Sequence, residues 1–434
     1  MGGWGVAIMG VASFGERLEK VYRLADELEA HRGDLVELAI KDIGFSFRDN
    51  HQEISVSVER LKMCWRVEEI LAGRRSICQE DQQEVALALS YNGSAWLNIV
   101  IATIFLAGNR VRVKFSSKGS DIARLLESIY FPIFGREVTF DYRPGREFIE
   151  WAIRDECVRA ICVFGSEHTV LPYKEMVLTH KKRLIFEGPG SDPFIVLNDA
   201  SYEEAIQDLY EAKYSYSGQT CTAPENIYVQ KDIYHDFLEA FVEKSKEAKV
   251  GDPWDPDTIV TPLGSPLAVE NIKRQLEDAK KRGGRIVLGG KVDSNLVFPT
   301  IVADATPDML GVQEETFGPV SFVIPFDDPS EVISMAKRNR YGLRAAVYGE
   351  EEAEKIASAL RGEPYMHEVP DIVFGKFGTV SVNEPRSESW RGAFVVKAVG
   401  GYGYSGWEWD ALGETFKLKQ GPKLLSLETT VLEA

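Results

Sequence analysis

The stretch Arg183-Leu-Ile-Phe-Glu187-Gly188-Pro189-Gly190-Ser-Asp-Pro193-Phe194-Ile-Val-Leu197 sets two short apolar runs on either side of a glycine turn. Short runs of β-forming residues bounded by Gly, Pro and Asp read as strands. Helical spacing of apolar residues follows at 202–213, 234–248, 268–281 and 331–338. Further strand-like runs stand at 111–115, 158–164, 227–229, 286–288, 320–324 and 378–382. From about residue 95 onward strands and amphipathic helices therefore alternate, the pattern of α/β layers built on mainly parallel sheets. No internal repeat, low-complexity tract or long linker interrupts it.

Towards the amino terminus, Ser13 followed by Glu16 forms a capping box, and Leu18, Val21, Leu24 and Leu28 recur at helical spacing. A second helix is expected at 34–43, and both read as amphipathic helices laid on a core. A chain of 434 residues is too long for one ordinary core, so two or three domains are expected.

Composition excludes several classes of function. A net charge of −17 argues against a general binder of nucleic acid or of anionic membranes, because both need cationic surface. It leaves room for a local basic pocket that takes one phosphate. The five cysteines, Cys64, Cys78, Cys157, Cys162 and Cys221, contain no C-x-x-C pair, and the six histidines no H-E-x-x-H spacing. Neither a disulfide framework nor a metal site is expected, and Cys157 and Cys162 read as packing residues. The first residues lack a cationic start and are too short to span a bilayer, and Val6 stands where a myristoylation signal has Ser or Thr. The expectation is a cytoplasmic protein. Gly401-Tyr-Gly403-Tyr-Ser-Gly406 satisfies G-x-G-x-x-G, but no strand-to-helix unit opens there, so it reads as a glycine-rich loop.

Several residues suit chemistry. Cys221, in Gly218-Gln219-Thr220-Cys221-Thr222-Ala223, has small polar neighbours that would let a substrate approach a thiolate. Glu187 ends an apolar strand at a glycine turn, a place for a general base. Asn92, in Ser90-Tyr91-Asn92-Gly93, carries an amide able to donate to an oxyanion. Lys114 ends a strand before Phe115-Ser-Ser117-Lys118-Gly119 and suits a ribose or phosphate contact. Glu315, in Glu314-Glu315-Thr-Phe317-Gly318-Pro319, could hold sugar hydroxyls. Taken singly, each has an ordinary reading: a free thiol, a turn carboxylate, an Asn-Gly hairpin, a solvated lysine, a solvated glutamate.

Taken in order, the set resembles the aldehyde dehydrogenase superfamily. The family's G-Q-x-C motif matches 218–221 and its E-x-F-G-P motif matches 315–319, with Phe298-Pro-Thr300 and Thr306-Pro-Asp308 before it. Its E-L-G-G-K-S-P stretch matches 187–193 more loosely, with Gly188 and Pro189 in place of Leu-Gly, and Tyr91 stands where Trp is frequent. Glu187 and Cys221 are 34 positions apart, in agreement with the family. Tyr341-Gly-Leu343, Gly378-Thr-Val-Ser-Val-Asn383 and Gly400-Gly-Tyr402 extend the resemblance, which covers most of the chain from roughly residue 14.

The resemblance implies an α/β fold with a Rossmann-like cofactor domain (1–76 and 92–189), an α/β catalytic domain (190–399, with 400–417 returning towards the cofactor domain) and a small β bridging element (77–91 and 418–434). In the last, 424–427 reads as an edge strand that would pair with another subunit in a homodimer or homotetramer. It also implies oxidation of a small-molecule aldehyde to its carboxylic acid with NAD or NADP, through a thiohemiacetal and a thioester on Cys221. Asn92 would hold the oxyanion and Glu187 would activate water. Lys114 would meet the adenosine ribose, Ser166 the pyrophosphate, Glu315 the nicotinamide ribose and Phe317 the nicotinamide. Ser117 stands where many NAD-preferring members carry a Glu for the ribose 2′-hydroxyl, which leaves NADP open beside NAD. Two other readings compete: a coenzyme A-acylating member, against which Glu187 speaks, and a non-catalytic member acting as a binding or structural protein. The stretch 383–394, with Trp390 and Arg391, is the expected substrate tunnel wall.

Overall fold

Ser13 caps the first helix as the spacing predicts. Its hydroxyl accepts the Glu16 N–H while the Glu16 carboxylate accepts the Ser13 N–H, and α1 (Phe14–Ala30) buries Val21, Leu24 and Leu28. With α2 (Arg32–Asp42) and α3 (Phe47–Lys62) it forms a helical layer, and the short α4 (Val67–Leu71) follows. The third helix has no counterpart in the sequence reading, because its buried face carries Asp49, Asn50, Glu53, Ser57 and Arg60 among the apolar residues and so hides the period. The computed structural model describes residues 12–71, 75–76, 83–93, 97–364, 372–385 and 399–431. Cys78, residues 77–82 of the expected bridging element and the 386–394 part of the expected tunnel wall lie outside them.

Two seven-stranded sheets carry the rest. β1 (Arg75–Ser76) precedes the first, which comprises β2 (Glu84–Ala88), β3 (Arg110–Lys114), β4 (Val138–Phe140), β5 (Val158–Phe164) and β6 (Arg183–Glu187). These five are parallel, and β18 (Gly406–Asp410) and β19 (Lys417–Gln420) extend the β6 edge antiparallel, giving the order β19-β18-β6-β5-β2-β3-β4. The second comprises β7 (Asp192–Val196), β8 (Pro224–Gln230), β9 (Arg285–Leu288), β12 (Thr300–Ala303), β13 (Val320–Phe326), β15 (Arg344–Tyr348) and β16 (Thr379–Val382). Its order is β16-β15-β7-β8-β13-β12-β9, parallel except at β9. A hairpin of β10 (Val292–Asp293) and β11 (Leu296–Val297) and a ribbon of β14 (Tyr341–Gly342) and β17 (Tyr402–Gly403) stand apart from both sheets. The inner runs of β2, β5 and β6 are apolar on both faces because helices cover the sheet, among them α5 (Asn98–Leu106), all nine of whose residues are buried.

Four expectations need correction or completion. Residues 84–88, placed in the bridging element 77–91, form β2 in the middle of the first sheet, where Val85, Ala86 and Leu87 are fully buried between β3 and β5. Residues 424–427, read as an edge strand, belong to a helical turn (Leu425–Glu428) packed on α5, with the Thr429 hydroxyl donating back to the Leu425 carbonyl at 2.8 Å. The tail turns to strand one step later, where β20 (Thr430–Val431) pairs antiparallel with β1. Cys162 is buried inside β5, but Cys157 is exposed in the turn before it. The 401–406 glycines form a strand-and-turn segment with no helix, and Gly401 lies so close to Gly342 that a Cβ would stand 2.2 Å from its carbonyl oxygen. Among the described residues, no helix is long and apolar enough to cross a membrane and no cluster could hold a metal ion.

Candidate active site

In the first sheet the chain runs outward through β2, β3 and β4, then returns to β5 on the other side of β2. Open parallel sheets take ligands in the crevice that such a reversal leaves at the carboxyl ends of the strands. A cavity of about 870 Å³ opens there, lined by the ends of β2, β3, β5 and β6 and, from the second half of the chain, by Cys221, Ser265, Glu315 and Phe317. Asn92, Lys114, Ser117, Ser166, Glu187, Cys221, Glu315 and Phe317 all line it. The structure therefore brings these eight residues to one cavity.

The segment before Cys221 holds three successive residues in the left-handed region, Tyr216 (φ 53°), Ser217 (φ 56°) and Gly218 (φ 74°). Two are not glycine, so the conformation persists only where neighbours impose it. The buried Asp49 carboxylate of α3 accepts the Tyr216 N–H at 2.9 Å, and Phe45 meets the Tyr216 ring edge-on at 5.2 Å. The Ser217 hydroxyl accepts the Thr261 N–H at 2.8 Å. Gly218 lies against Gly318, where a Cβ would stand 2.3 Å from the carbonyl oxygen. The Gln219 side-chain oxygen accepts the Tyr91 hydroxyl at 3.1 Å and the Gly264 N–H at 2.9 Å.

So delivered, the Cys221 thiol donates to the Glu187 carboxylate at 3.5 Å. Gly190 makes the approach of β6 and the cysteine loop close, since a Cβ there would stand 2.0 Å from the Cys221 carbonyl oxygen. Asn92 accepts the Ser90 hydroxyl at 2.6 Å and donates to the Gln219 carbonyl at 3.1 Å, which uses one of its two amide hydrogens.

On the other side, Lys114 ends β3 with only 7% of its surface exposed, and burial pulls its ammonium below the usual lysine range. Ser117 is exposed in the turn that follows, and Ser166 immediately precedes the short helix Glu167–Val170, its hydroxyl 3.2 Å from that of Thr169. Glu315 accepts the Gly190 N–H at 3.1 Å, and Phe317, at φ 53°, meets Tyr91 edge-on at 6.2 Å. Behind this turn the Glu225 carboxylate accepts the N–H groups of Thr316 and Phe317, each at 2.8 Å. Burial raises Glu225, opposed by the Lys213 ammonium and these two donors. Protein crowding on all sides but the cavity raises Glu315 well above the carboxylate range, with Glu225 next in effect.

Asp49 and Glu225 were missed in the sequence. The only signal for Glu225 is an acid set just before the apolar run 227–229, and Asp49 sits in a polar helix that shows no signal. Gln219 stood inside a recognised motif without a role.

The aldehyde dehydrogenase family model matches residues 8–417. The NADP(+) succinate-semialdehyde dehydrogenase of Deinococcus radiodurans is 33% identical over 217 residues, 49% of this chain and 46% of that protein. The benzaldehyde dehydrogenase of Bacillus subtilis is 31% identical over 290 residues, 63% of this chain and 59% of that one. The chain thus matches about half the length of these relatives. The crystal structure of succinic semialdehyde dehydrogenase from Streptococcus pyogenes in complex with NADP+ superposes with a TM-score of 0.81 over 96% of this chain and 89% of that one, at 23% identity. That likeness is one of fold.

Proposed function

The chain belongs to the aldehyde dehydrogenase family, and from that membership we propose that it oxidises an aldehyde to its carboxylic acid with NAD(P), through a thioester on Cys221. The observation that carries this reading is the 3.5 Å contact between Cys221 and Glu187 in the cavity that also presents Lys114, Ser166, Glu315 and Phe317.

The residues fit a dinucleotide. The cavity lies at the reversal point of a parallel sheet, and a Cβ on Gly165, at the carboxyl end of β5, would meet nothing within 4 Å, so a pyrophosphate has room there. Lys114 and Ser117 would hold the adenosine ribose, Ser166 the pyrophosphate, Glu315 the nicotinamide ribose and Phe317 the nicotinamide. When bound, the cofactor supplies the hydride acceptor.

Glu187 takes the Cys221 proton across their contact, and the thiolate sulfur adds to the aldehyde carbon. The carbonyl oxygen becomes an oxyanion met by the second Asn92 amide hydrogen and the Cys221 backbone N–H. After oxidation Cys221 carries the acyl group as a thioester. Glu187, once it has passed its first proton to solvent, accepts a second from water, whose oxygen adds to the acyl carbon, and the C–S bond breaks to release the acid and the thiolate. Because Glu187 touches Sγ directly, its carboxylate must turn aside to admit that water.

Our reading is of a cytoplasmic homodimer or homotetramer, for which the ribbon that β20 forms with β1 is the candidate subunit contact. The test is absorbance of the reduced cofactor with aliphatic, aromatic and acidic aldehydes, with NAD and NADP, with and without coenzyme A. Turnover without coenzyme A is expected. Turnover only with it would assign the acylating reading, and cofactor binding without turnover the non-catalytic one. C221S should abolish turnover and keep cofactor binding. E187Q should give one rapid burst of reduced cofactor followed by slow deacylation, and a steady-state rate equal to the parent's would reject the base.

A further inference from the structure

Glu225 has no part in the chemistry above, yet it is only 1% exposed and stands four residues beyond the nucleophile at the head of β8. A carboxylate is buried in this way only where its oxygens are satisfied. Here both are, each by a backbone N–H of the turn that carries Glu315 and Phe317. Two consecutive N–H groups ahead of a left-handed residue form an anion-binding concavity, and in this chain the anion is a side chain. The left-handed conformation crowds a residue that carries a Cβ, and Phe317 adopts it at φ 53°. Charge-assisted bonds of this kind are the strong ones and offset such strain.

The geometry points to Glu225 as a positioning residue for the cofactor. By holding the N–H groups of Thr316 and Phe317 it fixes the turn that aims Glu315 and Phe317 into the cavity, and so sets how tightly the nicotinamide end is held. Glu225 touches neither reactant nor cofactor. Through β8 the same residue joins the cofactor turn to the strand that begins just after Cys221, so both sides of the reaction share one support. This inference rests on the dinucleotide reading of the cavity. A bond to Lys213 alone would make Glu225 structural, and the two roles differ in what they move.

The experiment compares the full-length parent with E225Q and E225D. NADH and NADPH binding is followed by quenching of tryptophan fluorescence, Cys221 reactivity by iodoacetamide alkylation without cofactor, and folding by the thermal midpoint. Glutamine keeps the length but offers one acceptor, and aspartate keeps the charge but falls a methylene short. Clamping predicts about tenfold weaker binding of the reduced cofactor and a matching rise in its KM for E225Q, a smaller loss for E225D, and alkylation rates within about twofold of the parent. Should E225Q not fold, E225D carries the comparison. Parent-like cofactor affinity in the folded variants would overturn the clamp alone. So would alkylation that slows in step with affinity, since that marks a general structural loss. A parent that binds neither cofactor would overturn the dinucleotide reading, and this inference with it.

Discussion

Two turns at the cavity solve the same problem differently. Tyr216 before the nucleophile and Phe317 beside the cofactor face are both aromatic residues at φ 53°, and the N–H of each is held by a buried carboxylate. For Tyr216 the holder is Asp49, 167 residues away on a helix of the amino-terminal layer, through one bond. For Phe317 it is Glu225, on the strand beside the one this turn leads into, with one oxygen on the Phe317 N–H and the other on that of Thr316. The nucleophile loop is therefore pinned from outside its own layer and the cofactor turn from within it. The pose of Cys221 depends on how the amino-terminal helices dock, whereas that of Phe317 depends on the sheet.

The strongest way to break this comparison is Gly218→Ala, because that residue is where the two turns touch. The added methyl would stand 2.3 Å from the Gly318 carbonyl oxygen, at a φ of 74° that a Cβ disfavours. Loss of roughly 2–4 kcal/mol of stability is expected together with a large fall in turnover, since backbone atoms on both sides must move. Denaturant unfolding measures the first, and a variant within about 0.5 kcal/mol of the parent would show that the turns do not lean on each other.

Asp49→Asn separates the clamps by pH. Burial first of all, only partly opposed by the Ser46 hydroxyl, the Tyr216 N–H and Arg48, pushes Asp49 up from 3.8 to about 6. Between those values the folded state holds more protons than the unfolded one. The stability tied to the neutral acid is thus fully present below about 3.8 and lost as pH rises through about 6. Asparagine still accepts the Tyr216 N–H and escapes that loss. Its stability relative to the parent should climb by a few kcal/mol between pH 4 and 7, with NAD(P)H affinity unchanged. A pH-independent difference between the two proteins would count against a buried charge at residue 49.

The smallest expected effect lies outside both turns. Ser117→Glu, exposed at the adenosine end, should leave stability and Cys221 alkylation alone while shifting preference from NADP towards NAD. An unchanged cofactor ratio would mean that Ser117 does not face the 2′ position.

Much of this was legible along the chain. The strands at 158–164 and 183–187 and the capped helix from Ser13 were readable because each is a local pattern, a run of β-formers or a cap three residues from its partner. The eight cavity residues were readable because short motifs keep their order. The stretch 84–88 was not, since an apolar run does not say which strands will flank it. Leu424 to Leu427 failed for the opposite reason: alternating leucines suit a strand, but the leucine at 425 found a helix, α5, to pack on.

From its residues alone, then, this chain determined its α/β class, most of its secondary elements and the identity of the groups that meet at the cavity. Only the tertiary structure decided that β2 lies inside its sheet between β3 and β5, that Cys221 and Glu187 touch, and that Asp49 and Glu225 hold the two left-handed turns. The division is physical. Periodicity, capping and motif spacing act within a few residues, whereas a buried carboxylate is tolerable only if a distant fold supplies its donors, and no local pattern records where they are.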